Sequence, residues 1–254
     1  MHRPLAPNRA TTRFTGFIRM YVRFILLTYH SKVKNAKIVS SLRGGAHLIL
    51  VLCFILAYFI GAIPFGVVIG KLFYHTDIRK GGSHNIGTTN AYRMLGPVGG
   101  SIVLVLDILK GTLAASLPIL FGIEHHWLVL IVGLAAVFGH TFSIYIRFKG
   151  GKAVATSAGI LLAYNPPFFV IAFAIWFSLI LLTSMVSVAS TLGMVLITAW
   201  SLVYHDWLLT TVACGLLVVF LIKHRANFKR IKAGDENMVP FGLGQYLRQH
   251  RGRS

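Results

Sequence analysis

Of the 254 residues, 56% are hydrophobic and only 12% are charged, and the mean hydropathy is +0.72. Soluble domains carry about 25% charged residues, so the composition excludes a water-soluble globular protein and points to one helical membrane bundle. The formal charge of +19 sits mostly at the two ends: residues 1–47 hold nine Lys/Arg and no acid, and residues 223–254 hold eight against Asp235 and Glu236. Basic flanks of apolar segments follow the positive-inside rule or touch anionic lipid, so membrane lipid is the expected partner and nucleic acid is not.

In chain order, residues 1–46 come first as a basic extension. They include a moderately apolar piece, Phe14 to Tyr29, interrupted by Arg19 and Arg23, which reads as an interfacial amphipathic helix. No continuous apolar core of signal-peptide type is present there. The simplest expectation is that 1–46 adds little function and reflects an over-long reading frame. Seven apolar segments follow, at 47–70, 98–121, 126–146, 153–164, 166–184, 187–203 and 207–222. A spanning helix needs about 20 apolar residues, so the fourth is short and reads as tilted, re-entrant or sheltered by its neighbours. Pro64, Pro118, Pro166 and Pro167 fall in or beside these runs, as membrane helices tolerate. A basic tail, 237–254, closes the chain. The expected fold is therefore an all-α integral membrane bundle of about seven transmembrane helices over 47–236.

Loop charge sets the expected orientation. The loops after segments one, three and seven are basic, whereas those at Glu124–His126, Asn165–Pro167 and His205–Asp206 carry almost no positive charge. The basic loops belong in the cytoplasm, which puts the start of segment one outside and the C-terminus inside. The nine positive charges before segment one run against that assignment, another reason to set 1–46 apart.

Three polar islands then share the cytoplasmic face. The first runs from Arg79 to Arg93. Gly81, Gly82 and Gly87 supply turns, and Ser83, Asn85, Thr88, Thr89 and Asn90 supply short hydrogen-bonding arms. Arg93 offers a planar fork that grips a phosphate through two parallel bonds. In the second, Arg147 to Lys152, the pair Gly150-Gly151 lies between Lys149 and Lys152 just before a helix start, a natural anion cradle. Ala153 follows Lys152, so the GxxxxGK[ST] spacing is absent and ATP binding is excluded. The third holds His224, Asn227 and Arg230 and continues to Gly234-Asp235-Glu236-Asn237, with His224 and Asn227 on one helix face if the last helix continues past the membrane. Ser184, Ser187 and Ser190 lie near the exit of the fifth segment, on the same side.

Inside the membrane, Asp107 and Lys110 lie three residues apart and read as a structural ion pair rather than a proton relay. His140 ends the third segment, free to bond a carbonyl or to face the site. Cys53 and Cys214 sit in apolar runs with no CxxC or metal-ligand spacing, so both read as packing residues and no metal site is expected. Three function classes compete: an enzyme acting on phosphorylated amphiphiles, a transporter for an anionic phosphate metabolite, and a structural membrane protein. Charge gathered at one face without an inverted repeat disfavours the transporter. A structural protein has no need of two glycine–lysine loops plus Arg93.

From about Leu48 to Glu236 the chain resembles the bacterial acyl-phosphate-dependent glycerol-3-phosphate acyltransferases, the PlsY family. The pattern GSxNxGxTNxxR reads as Gly82-Ser83-His84-Asn85-Ile86-Gly87-Thr88-Thr89-Asn90-Ala91-Tyr92-Arg93. GHxF reads as Gly139-His140-Thr141-Phe142, FKGGKxVAT as Phe148 to Thr156, and HxxNxxR as His224, Asn227 and Arg230. Ile63-Pro64-Phe65-Gly66 and Asp107-Ile108-Leu109-Lys110-Gly111 also look like the family's. Departures are Ala153 and His84 where glycine is usual, and Phe228 where isoleucine is.

The resemblance implies a seven-helix membrane fold in the bacterial cytoplasmic (inner) membrane, with its site facing the cytoplasm. The implied reaction moves a fatty acyl group from acyl phosphate to the 1-hydroxyl of sn-glycerol 3-phosphate, giving lysophosphatidic acid and phosphate without a cofactor, early in phospholipid synthesis. The soluble enzyme that makes acyl phosphate is the implied protein partner. On the matched positions, Arg93 and Lys152 neutralise phosphate and the developing oxyanion, and Ser83 binds phosphate or orients the attacking hydroxyl. His224 and Asn227 position glycerol 3-phosphate. Gly82, Asn85, Thr89, Asn90, His140, Lys149, Gly150, Gly151, Ser187 and Ser190 complete the expected substrate contacts.

Overall fold

The computed structural model describes residues 45–239 and 241–251; the expected amphipathic piece Phe14–Tyr29 and nearly all of the basic extension lie outside the described residues. Among the described residues ten α-helices follow one another: α1 Gly45–Ala62, α2 Phe65–Tyr74, α3 Thr88–Leu120, α4 Trp127–Thr141, α5 Val154–Tyr164, α6 Pro166–Thr183, α7 Val186–Val203, α8 Trp207–Lys223, α9 Arg225–Ala233 and α10 Leu243–Arg251. Among the described residues five spans are long and apolar enough to cross a membrane, in α1, α3, α4 with its continuation to Ile146, α6 and α7. Helices α8 and α9, bent by 55° at His224, make a sixth candidate.

The expected first segment, 47–70, is two helices rather than one. Pro64 has no N–H to donate and the helix breaks there, so the carbonyls of Ala62 and Ile63 lose their regular i+4 helical donors, although Ile63 O keeps the Phe65 N–H at 3.1 Å. Ser143 Oγ donates to Ala62 O, and Lys110 Nζ donates to Ile63 O at 2.7 Å. Such replacement is what lipid demands of a broken helix. Asp107 Oδ1 neutralises Lys110 at 2.7 Å with both side chains buried, so the pair serves the helix break. The second segment starts ten residues earlier than expected, at Thr88, with a kink where Gly96 (φ 73°) precedes Pro97. The fourth, α5, has 11 residues and spans only about 16 Å, short of the roughly 30 Å hydrocarbon core.

Helices approach closely where glycines face backbone. A Cβ on Gly61 would lie 2.2 Å from Ala136 O, and one on Gly159 would lie 1.9 Å from Ile108 O, so α1 packs on α4 and α5 on α3 without a side chain between them. Cys53, Ala57, Ala114, Val132 and Ala136 fill the space among α1, α3 and α4. Ile78 and Ile86, both buried, pin the polar loop between α2 and α3 to Val67, Leu95 and Val103. Caps set the far ends: Asn165 Oδ1 accepts the Phe168 N–H at 3.0 Å, and Asp206 Oδ1 accepts the Leu209 N–H at 2.9 Å. Cys53 is buried as expected, but Cys214 is exposed on the outer side of α8.

Candidate active site

A cavity of about 780 Å³ lies among α3, α5, α6, α7 and α8, and all three polar islands reach it. Ser83, Asn85, Thr89, Asn90, Arg93, His140, Lys152, Ser187, Ser190, His224 and Asn227 line it. Gly82, Lys149, Gly150 and Gly151 do not.

The loop before α3 is held by its own side chains. Asn90, 1% exposed, spends its whole amide on the loop: Nδ2 donates to Ile78 O (2.7 Å) and Asn85 O (2.9 Å), and Oδ1 accepts the Ser83 N–H (2.8 Å). Asn90 thus shapes the loop, and both its N–H donors are spent there rather than on a substrate phosphate. Asn85 Oδ1 is likewise taken by the Gly87 N–H at 2.9 Å. Gly82 (φ 61°) has no room for a Cβ, which would lie 2.2 Å from Asn90 Oδ1. Arg79 is committed to Asp77, Nη2 to Oδ2 at 2.6 Å, and this guanidinium holds the Asp77 carboxyl well below the usual carboxylate range. Arg93 remains to face the cavity, one and a half turns into α3. The N-terminus of α3 points there too, and Thr88 Oγ1 is buried against the cavity with no hydrogen-bond partner. A helix N-terminus with a spare hydroxyl favours an anion.

The glycine pair works differently from the expected cradle. A Cβ on Gly150 would lie 2.1 Å from His140 O, and one on Gly151 would lie 2.3 Å from His140 Nε2. The Gly151 N–H already donates to His140 O at 3.0 Å. These glycines let the loop lie flush on the end of α4, and the Gly151 amide is not available to a phosphate. His140 is buried between Gly151 and Thr156, with Nδ1 3.2 Å from Thr156 Oγ1 and 4.0 Å from Asp107 Oδ1. Lys149 is exposed outside the cavity.

Lys152 turns inward from that loop, and its Nζ donates to Asn227 Oδ1. Asn227 Nδ2 donates to Glu236 Oε1 at 2.7 Å, Ser187 Oγ to the same oxygen at 2.9 Å, and Arg230 Nε to Glu236 Oε2 at 2.8 Å. Glu236 is 2% exposed and joins α7, α9 and the tail to the lysine loop. The sequence places it at the end of the third polar island without a role; its one available signal is an acid in an otherwise basic stretch. The tail also contributes Asn237, Met238, Val239 and Phe241 to the cavity wall, so the working unit runs past residue 236. His224 Nδ1 lies 2.8 Å from Phe220 O; a carbonyl only accepts, so Nδ1 carries the proton and Nε2 keeps a lone pair. Ser190 Oγ accepts from Trp176 Nε1 at 3.3 Å.

Burial pushes the Lys152 ammonium down to about 8, Glu236 raises it, and Arg230 and Arg93 lower it further. Three cations against one carboxylate leave this end of the cavity positive. Away from it the walls turn apolar, with Leu134, Phe173, Met194, Ile197 and Leu216 lining a channel between the helices.

A membrane bundle with a cationic pocket opening into an apolar channel is a protein built to hold an amphiphile by its anionic head. Its sequence carries the point further: the chain belongs to the glycerol-3-phosphate acyltransferase family, whose profile matches residues 51–234. It is 62% identical over 202 residues to a glycerol-3-phosphate acyltransferase of Latilactobacillus sakei, covering 80% of this chain and 98% of that one. Its fold is similar to the crystal structure of PlsY, an integral membrane glycerol 3-phosphate acyltransferase, in the glycerol 3-phosphate form. That match has a TM-score of 0.69 and 34% identity, over 75% of this chain and 95% of the other. The lysophosphatidic acid form of PlsY matches with a TM-score of 0.66 and 34% identity, over 74% and 94%.

Proposed function

We propose that this protein transfers a fatty acyl group from acyl phosphate to the 1-hydroxyl of sn-glycerol 3-phosphate, yielding lysophosphatidic acid and inorganic phosphate. The observation that carries the reading is one cavity with Arg93, Lys152, His224 and Asn227 at its head and an apolar channel behind them. Both substrates bear phosphate, and one bears a long chain that must stay out of water.

In the reaction the glycerol hydroxyl oxygen bonds to the acyl carbonyl carbon, and the bond from that carbon to the bridging oxygen of the phosphate breaks. Phosphate leaves with that electron pair, and the hydroxyl proton passes to a phosphate oxygen. Acyl phosphate is a mixed anhydride with a good leaving group, so positioning and charge stabilisation supply most of the rate. Arg93 and Lys152 offset the negative charge on the leaving phosphate and the carbonyl oxygen. The Ser83 hydroxyl and the first turn of α3 bind phosphate. His224 Nε2 and Asn227 position glycerol 3-phosphate, and Ser187 acts through Glu236. Direct transfer is favoured over an acyl-enzyme on Ser83: the neighbouring His84 is exposed, and its Nδ1 lies 3.0 Å from Arg79 O.

The site opens to the cytoplasm of a bacterium, where the basic loops belong and where a soluble enzyme supplies acyl phosphate. The start of α1 then faces outward and α10 inward. The test is phosphate release by purified protein in detergent. Release that needs both acyl phosphate and glycerol 3-phosphate supports the reading, and a folded sample inert with both refutes it. Rapid quenching with labelled acyl phosphate tests direct transfer, which a labelled Ser83 peptide overturns.

A further inference from the structure

The apolar channel has a measurable depth. Ser187, Ser190, Met194, Ile197 and Ser201 recur at three- and four-residue steps, so one stripe of α7 lines the cavity from end to end. Ser187 stands at the cationic end through Glu236. Fourteen residues on, Ser201 stands about 21 Å deeper at about 1.5 Å per residue. Helix α8 runs the other way and keeps the same register: His224 is at the head and Leu209 at the depth.

The deep end is closed by buried groups. Ser201 is 0% exposed; its Oγ donates to Thr198 O at 2.7 Å and lies 2.9 Å from Thr210 Oγ1. Leu209 and Leu130 flank it, both nearly inaccessible. Phe168, buried and edge-on to Tyr204 at 5.4 Å, stands behind. Ser201 lies beneath this lining with its polar atom already satisfied, so no unmet hydrogen bond underlies the deep end.

We infer that Leu209, backed by the Ser201–Thr210 pair, is the floor of the acyl channel and sets the length of fatty chain the protein accepts. The inference rests on the acyl-transfer reading above. A saturated chain advances about 1.25 Å per bond, from ~1.52 Å bonds at ~111°. The ~21 Å channel then seats a chain of roughly sixteen to eighteen carbons. A shorter chain leaves wall unfilled, and a longer one meets the floor before its head group reaches Lys152.

The experiment compares kcat/KM for lauroyl, palmitoyl, stearoyl and arachidoyl phosphate at saturating glycerol 3-phosphate, using the full chain in detergent. Each methylene that finds wall is worth about fourfold. Ser201→Phe raises the floor, so the lauroyl-to-palmitoyl ratio rises about fifteenfold or more, the loss of two seated methylenes. Leu209→Ala lowers the floor, so the arachidoyl-to-palmitoyl ratio rises about fourfold or more. Should Ser201→Phe fail to fold, Ser201→Val and Leu209→Ala carry the comparison. Folded variants with an unchanged chain-length profile, or a loss equal at every length, overturn the inference, since the chain then leaves sideways between helices. A wild-type protein inert with every acyl phosphate overturns the acyl-transfer reading instead.

Discussion

Lys152 gives the site a sharp dependence on pH. Its ammonium is buried and lies near Arg93 and Arg230, and Glu236 offsets this only in part, so its pKa falls to about 8. On the proposed reading the charged form is the one that neutralises phosphate. At pH 7 about nine-tenths of the unliganded protein carries that charge, and at pH 9 about one-tenth does. The kcat/KM for glycerol 3-phosphate therefore falls about tenfold between these values, with unit slope above pH ~8, because this ratio reports the free protein. The substrate phosphate, with a second pKa near 6, stays dianionic over the same range and adds no slope of its own. Bound dianion raises the lysine pKa, so the fall in kcat begins at higher pH than the fall in kcat/KM. Lys152→Arg keeps its charge past pH 10 and flattens the alkaline limb, although its shape lowers the rate throughout. The assay is initial-rate phosphate release in detergent from pH 6 to 10. A wild-type profile flat to pH 10, or a Lys152→Arg profile that keeps the wild-type fall, refutes the assignment.

On the proposed reading Arg93→Ala loses one charged donor aimed at the reacting phosphate, so kcat/KM drops at least about 100-fold while helicity by circular dichroism is unchanged; near-full activity removes Arg93 from the site. Glu236→Ala leaves Asn227, Arg230 and Ser187 without their shared acceptor and costs about 3 kcal/mol, read by unfolding in detergent. His84 (φ 55°) and Ala153 (φ 59°) occupy left-handed backbone at the two positions where the family usually has glycine. Each change to glycine raises stability by about 0.5–1 kcal/mol, and a loss in either shows that the side chain contributes more than the backbone strain removes.

The membrane class and the convergence of Arg93, Lys152, His224 and Asn227 were legible because cations and glycines are conspicuous among apolar runs. What each group is bonded to was not. Asn90 and Asn85 look like substrate arms in sequence, yet the fold gives them loop amides and carbonyls as partners. Gly150 and Gly151 look like an anion cradle, yet the end of α4 lies against them. Lys149 and Lys152 bracket the same glycines, but the left-handed turn through Arg147 and Phe148 sends one to solvent and one inward. Glu236 became visible only once the tail folded back, since a carboxylate buried among Asn227, Ser187 and Arg230 has no local sequence signature. The break at Pro64 was likewise hidden by an apolar run that continues across it; the proline marks it, and Lys110 and Ser143, far along the chain, make it tolerable.

The most direct test of the central claim is a mass balance on the purified protein with palmitoyl phosphate and labelled glycerol 3-phosphate. The account predicts one lysophosphatidic acid, acylated at the 1-position, for each phosphate released, with both products lost in Arg93→Ala. Phosphate released at the same rate without glycerol 3-phosphate, or without any lysophosphatidic acid, contradicts it.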